Sequence, residues 1–270
     1  MTSSIKNKQR PAFGTKEWAG SNENFIQGCI HDCKYCFAKG NAVRFRRKTA
    51  ENWRIEEVNF KKLKRGVRKR KGTIMFPSSH DISPKNVDYA IQHLEKLVKA
   101  GNNVLVVSKP HLEVIQKICS HFQPYKDQML FRFTIGSDNT ETLKFWEPNA
   151  PSFEERLSAL QHAQAQGFKT SVSIEPALDG NTFELVQKLS PFVTDSLWIG
   201  LANRLKGNLK LNGHADDETW TKANELKAIQ TKHWVEELAD KLKDHPKIKW
   251  KDSCKKVLGI IRPIETGLDI

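Results

Sequence analysis

The chain has 270 residues, with 44 Lys and Arg against 31 Asp and Glu and a formal net charge of +13. That length can bury the core of one α/β domain. No apolar run reaches the length of a membrane span, and the polar, basic start MTSSIKNKQRPAFGTKEWAG lacks the apolar centre of a signal peptide, so a cytoplasmic protein with no membrane partner is expected. The positive excess favours a polyanionic partner, nucleic acid foremost.

Residues 1–22 read as a polar N-terminal arm. The first apolar run, ENFIQG (Glu23 to Gly28), suits a strand, and it leads directly into GCIHDCKYCFAKG (Gly28 to Gly40), which holds three of the five cysteines. From Asn52 to Lys71, Phe60, Leu63 and Val67 recur at helical spacing, so a helix is expected there. Its basic run KKLKRGVRKRK (Lys61 to Lys71) would face outward, either as a solvated face or as a surface that tracks phosphates.

Further strands are expected at Gly72 to Phe76, Asn103 to Ser108, Met129 to Ile135, Lys169 to Glu175 and Ser196 to Leu201. Helical patterns separate them: Lys85 to Ala100, His111 to Phe122, Ser152 to Gln166 and Thr182 to Leu189. Gly101 and Gly167 stand where helices stop, and Ser152 with Glu155 forms a capping box. A last long helix is expected from Asp216 to Asp244, before a strand-like KIKW. Six strands alternating with helices predict an α/β partial (β/α)6 TIM-type barrel with parallel strands over residues 23–205, and a C-terminal helical extension over 206–270 packed on it.

Barrels of parallel strands gather their chemistry at the C-terminal strand ends. The polar residues after each run are Cys29, Cys33 and Cys36; Ser78, Ser79, His80 and Asp81; Ser108 and Lys109; Thr134, Ser137 and Asp138; Ser173 and Glu175; Asn203 and Arg204. Three thiols in CxxxCxxC are soft ligands for zinc or an iron-sulfur cluster. Structural zinc normally closes with four protein ligands, and His31, Cys119 or Cys254 could in principle supply the fourth. A [4Fe-4S] cluster usually takes four cysteines, so three would leave one iron open to a non-protein ligand.

With Tyr35 at the aromatic position of CxxxCxΦC, the loop resembles the motif of the radical S-adenosylmethionine (SAM) superfamily. The resemblance implies that Cys29, Cys33 and Cys36 hold three irons of a [4Fe-4S] cluster while SAM chelates the fourth. It also implies that reductive cleavage of SAM gives a 5′-deoxyadenosyl radical that takes hydrogen from a substrate. Glu147, Pro148, Ala150, Pro151, Arg156 and Leu157 match an EPxAPxxxxRL stretch, and together with SSHDISP and VSKP they resemble the spore photoproduct lyase-like branch, often described as DNA repair photolyase-like. Phage-encoded radical SAM proteins look similar as well.

Carried onto this chain, the resemblance implies SAM contacts from Tyr35, Ser78, Ser79, Asp81, Lys109, Thr134, Ser137 and Glu175: the Ser78 to Asp81 group for the amino group, Lys109 for the carboxylate, Thr134 and Ser137 for the ribose. Structural alternatives stand beside them. Ser79 and Asp81 could cap the helix opening near Pro84, Lys109 could be solvated, and Glu175 could pair with Arg156 or Arg204. Two features depart from the branch: no GGE meets the SAM amino group, and Ser78, Ser79 and His80 stand where some spore photoproduct lyases have a cysteine hydrogen donor. Cys119 reads as helix packing and Cys254 as packing or a redox donor.

The expected function is therefore a radical SAM lyase or nucleic-acid-modifying enzyme acting on nucleic acid or a nucleotide, reduced by flavodoxin or ferredoxin. The alternatives are radical chemistry on a small molecule or protein, or a zinc-stabilised nucleic-acid-binding module in which Trp53 and Trp146 stack on bases.

Overall fold

In the computed structural model, which describes residues 11–267, seven strands form one parallel sheet. They are β1 (Ser21–Asn22), β4 (Ile74–Phe76), β5 (Val104–Ser108), β6 (Met129–Thr134), β7 (Lys169–Ile174), β8 (Leu197–Ile199) and β9 (Ile248–Trp250), in that spatial order. The remaining strands, β2 (Ile26–Gln27) and β3 (Glu57–Val58), make a separate antiparallel pair. The helices are α1 (Phe37–Arg44), α2 (Phe60–Lys64), α3 (Val87–Lys99), α4 (Leu112–Phe122), α5 (Thr140–Trp146), α6 (Phe153–Ala165), α7 (Thr182–Leu189), α8 (Leu205–Leu211), α9 (Asp217–Ile229), α10 (Lys232–Leu242) and α11 (Asp252–Leu258). The result is the expected α/β partial barrel: a curled sheet with helices around it. No described helix is long and apolar enough to cross a membrane.

Strand alternation divides the two faces of the sheet. Phe131, Phe133, Val104, Val106, Val172 and Ile174 point outward into the main core with the helices. Met75, Leu105, Val107 and Leu130 point inward, where Trp18 and Ala19 of the N-terminal segment pack on them. Register carries the strand ends to a common rim: Ser108 lies opposite Phe133, and Thr134 opposite Ser173.

Four expectations are corrected. Glu23 to Gly28 is not a barrel strand: β1 lies just before it and pairs with β4, while Ile26 and Gln27 pair with β3. The sheet has seven strands rather than six, because KIKW supplies β9 beside β8. The helix from Asn52 to Lys71 shrinks to α2, because its backbone is used elsewhere. Cys29 N–H donates to the Trp53 carbonyl (3.0 Å), and Asn102 takes Arg70 N–H (2.8 Å) and donates to the Arg68 carbonyl (3.3 Å). The helix from Asp216 to Asp244 breaks at Gln230, whose amide donates to the Ala177 carbonyl (2.8 Å) and accepts from Ala202 N–H (2.9 Å). Thr231 then caps α10 by accepting from Trp234 N–H (3.2 Å). The first ten residues of the expected N-terminal arm lie outside the described residues.

Candidate active site

The cysteine loop is shaped by its neighbours in sequence. Gly28 enters it at φ +97°, and a Cβ there would lie 2.3 Å from the Ile55 carbonyl oxygen, so only glycine lets the loop sit this close. Asp32, itself at φ +47°, accepts from the buried Lys39 ammonium at 2.7 Å, which ties the middle of the loop to α1. Cys36 is the N-cap of α1, its Sγ accepting from Lys39 N–H at 3.3 Å. A thiolate there meets the positive end of a helix. Asn212, the C-cap of α8, donates to the carbonyls of Lys34 (2.8 Å) and Cys36 (3.0 Å), and Asn208 within α8 to that of Tyr35 (3.2 Å).

Cys33 is buried, Cys29 and Cys36 are half-buried, and all three are free thiols. Burial pushes the Cys33 thiol up to about 12 and raises the other two. Such thiols are poor nucleophiles on their own, and they become thiolates when a metal displaces the proton. Among the described residues, no trio of His, Cys, Asp or Glu converges on a single ion. The other donors considered for a zinc site are committed elsewhere. His31 lies between Asp81 (Nδ1 to Oδ2, 3.2 Å) and His111 (Nε2 to Nε2, 3.2 Å), and Cys119 is buried in α4. Three desolvated thiols on one loop, one of them at a helix N-terminus, fit a cluster that spreads its cysteines over separate irons better than a closed zinc site.

Two strand-end residues meet this loop. The Asp81 carboxylate accepts from Ile82 N–H (2.8 Å), from the Ser108 hydroxyl and from Lys109 N–H (2.9 Å), besides facing His31. Burial opposes its charge, but His31, Lys109 and Ser108 hold its pKa down to about 2. The Lys109 ammonium lies 3.8 Å from Glu147 and 5.7 Å from the centre of the Tyr35 ring. Burial disfavours that charge as well, yet the pKa is raised because Cys33, Glu147 and Asp81 surround it.

The sequence reading gave Glu147 no role at this site. It is fully buried, pairs with Arg156 at 2.5 Å, and accepts the Tyr35 hydroxyl. Burial works against ionisation, but Arg156 and Lys109 lower its pKa, and the same burial and carboxylate raise that of Tyr35. The signal was present in the EPxAP stretch, whose glutamate matched the family pattern. Asn24 was also overlooked: its side chain receives Ser78 and Ser79 N–H (2.8 and 2.9 Å) and donates to the Ser78 hydroxyl (2.8 Å), fixing that loop. His31, read from the sequence only as a possible zinc ligand, continues with His111 and the capping-box Glu155 from Asp81 towards the surface as a chain of contacts ending at 3.4 Å.

The other expected contacts stand apart. Thr134 is buried at the end of β6, its carbonyl accepting from Arg156 (3.2 Å). Ser137 donates to Asp179 and accepts from Asn139 N–H (2.9 Å). Glu175 pairs with neither Arg156 nor Arg204 but with buried Lys251 at 3.5 Å, and burial raises its pKa. Among the described residues, no hydrogen bond or ion pair joins these three to the cysteine group. Trp53 and Trp146 are 2% and 3% exposed, which removes both as stacking platforms. Cys254 is buried, and burial pushes its thiol up to about 12, which makes it a poor redox donor.

The Radical SAM superfamily family model matches residues 24–190, more than half of the chain. An uncharacterized protein, ORF301, of Acidianus two-tailed virus is 26% identical over 170 residues; the match spans 58% of this chain and only 56% of that protein. Among solved structures, spore photoproduct lyase complexed with dinucleoside spore photoproduct is similar with a TM-score of 0.56 at 15% identity, covering 91% of this chain and 80% of that one. Streptococcus suis SuiB bound to S-adenosylmethionine is similar with a TM-score of 0.52 at 11% identity, covering 87% and 50%.

Proposed function

The chain belongs to the radical SAM superfamily, and on that premise we propose that Cys29, Cys33 and Cys36 hold a [4Fe-4S] cluster whose fourth iron binds SAM, in an enzyme acting on nucleic acid or a nucleotide. One observation carries the reading: three desolvated thiols share a loop at the strand rim where Asp81 and Lys109 of neighbouring strands also meet. When bound and reduced, the cluster supplies the electron that cleaves the SAM sulfonium to methionine and a 5′-deoxyadenosyl radical.

The protein's own residues bind and orient. Lys109, held protonated, offers a point charge to the SAM carboxylate, with Glu147 and Tyr35 limiting where its ammonium can go. Asp81 and the Ser78–Ser79 loop, braced by Asn24, offer acceptors to the amino group. Thr134 and Ser137 serve the ribose, and Glu175 the adenosyl group or the substrate. The burial of Cys33 limits water at the reacting centre.

The net charge of +13 and the likeness to a lyase holding a dinucleoside support the substrate class. Flavodoxin or ferredoxin is the proposed reductant. Anaerobic reconstitution should give a brown protein with about four irons per chain, and dithionite should release 5′-deoxyadenosine from SAM. Deuterium from labelled DNA, RNA or nucleotides should then appear in that product. A colourless protein that loads one zinc ion and leaves SAM intact would overturn the reading.

A further inference from the structure

Beyond the cysteine loop, a cleft of about 560 Å³ opens between the end of α1 and α8. Arg46, Arg47, Lys210 and Leu211 line it, and Glu51 is the single carboxylate on its walls. Lys48 also lines it, but its ammonium is held by Glu57 (2.6 Å) and the Ile55 carbonyl (3.0 Å). Among the described residues, no ion pair holds Arg46 or Arg47, so with Lys210 they outnumber Glu51 and leave the cleft net positive.

Exposed aromatic rings accompany that charge. Phe45 is 63% exposed, with the guanidinium groups of Arg44 and Arg47 at 5.7 and 5.9 Å from its ring centre. Phe37, 59% exposed, follows Cys36 at the other end of the same helix. Binding of phosphates beside unpaired bases combines cations with flat aromatic rings, and both stand together here. The walls are firm. A Cβ on Gly40 would sit 3.3 Å from Asn208 Oδ1, so α1 packs closely on α8, and a Cβ on Gly213 would sit 3.2 Å from that of Ala50.

The cleft is also aimed at the reacting centre. Val43, at its edge, is seven residues past Cys36, roughly 10 Å along the helix axis. Arg47 has a second neighbour on its inner side: it shares a narrow gap with Gln27, Trp53 and Ser79, which leads back to the strand rim.

We propose that this cleft is a track for single-stranded nucleic acid, with phosphates on Arg46, Arg47 and Lys210 and a base on Phe45, presenting the adjoining nucleotide to the cysteine loop. The assignment rests on the nucleic-acid reading above and deepens it.

The test is fluorescence anisotropy of the full chain with fluorescein-labelled oligothymidylate across a salt series. Wild type should bind with affinity falling steeply as salt rises. The R46E/R47E variant should bind at least about tenfold more weakly with a salt slope lower by about two, and F45A should bind about tenfold more weakly at unchanged slope. K210E, on the opposite wall, should weaken binding as well, while K117E/K241E on α4 and α10, an equal change of charge elsewhere, should stay within about twofold. Far-UV circular dichroism checks that each variant is folded.

Equal losses from K117E/K241E, full binding by R46E/R47E, tighter binding of duplex, or equal displacement by polyglutamate would each overturn the cleft assignment and leave radical chemistry untouched. Absence of any oligonucleotide binding by wild type would instead overturn the nucleic-acid reading on which it rests.

Discussion

Glu147 and Arg156 form an ion pair with neither side chain exposed to solvent, and the Glu147 carboxylate also receives the hydroxyl of Tyr35 from inside the cysteine loop. Removing one partner strands the other charge in the core, at a cost of about 3–5 kcal/mol. Glu147→Gln and Arg156→Met should each lower the urea midpoint accordingly. Glu147→Gln combined with Arg156→Met should lose less than the sum of the two single changes, because the second removal no longer strands a partner of that pair. Additive losses in the double-mutant cycle would show that the two side chains are not coupled.

The cysteine loop divides stability from chemistry. Cys29→Ser, Cys33→Ser and Cys36→Ser should each abolish the brown chromophore and 5′-deoxyadenosine release, while circular dichroism stays like that of wild type. Cys119→Ser and Cys254→Ser should retain both activities. Retention of about four irons per chain in any of the first three variants would refute the ligand assignment.

Lys109→Met should weaken SAM binding by at least about tenfold, the worth of a charge-assisted hydrogen bond. Equilibrium dialysis with radiolabelled SAM reads this directly. Lys109→Arg should recover part of the loss, since the charge is retained and only its shape is altered.

Acid should act on His80. Its Nδ1 donates to the Asp81 carbonyl (3.0 Å), its Nε2 is buried without a partner, and burial holds its pKa down to about 4 from an ordinary 6.5. The unfolded chain therefore takes up this proton first. The stabilisation is fully present above about pH 6.5 and drains away as pH falls towards 4, amounting to at most about 3 kcal/mol. His80→Gln should show a flatter stability profile over that window in urea titrations, and a parallel profile would exclude His80 as the cause.

Gly28→Ala tests how tightly the loop is seated. The added methyl would meet two carbonyl oxygens, Ile55 at 2.3 Å and Trp53 at 2.7 Å, in a backbone conformation that side chains disfavour. Lower iron stoichiometry after reconstitution, with a reduced melting temperature, is the expected result. Normal loading would mean that the loop tolerates displacement.

The parallel strands were legible in the sequence because short apolar runs ending in proline or polar residues alternate with helical periodicity; β5, β6 and β7 appear almost as the runs suggest. The cysteine loop was legible from spacing alone. The failures share a cause, in that long-range partners captured backbone whose local pattern favoured a helix. Residues 53 and 55 serve Gly28 and Cys29, and Gln230 bridges Ala177 and Ala202. Glu147 and its counter-charge Arg156 were visible as parts of one motif, but the hydroxyl Glu147 receives from Tyr35 comes from more than a hundred residues away, and no local pattern encodes that contact.

Asn208 and Asn212 reach from α8 to carbonyls between the thiols, although they lie beyond the segment matched by the family model, which ends at residue 190. During synthesis, therefore, the cysteine loop stays without its final brace until the ribosome has released α8 and that helix has docked. A fragment cut at residue 190 would carry all three thiols yet lack the clasp on the carbonyls between them.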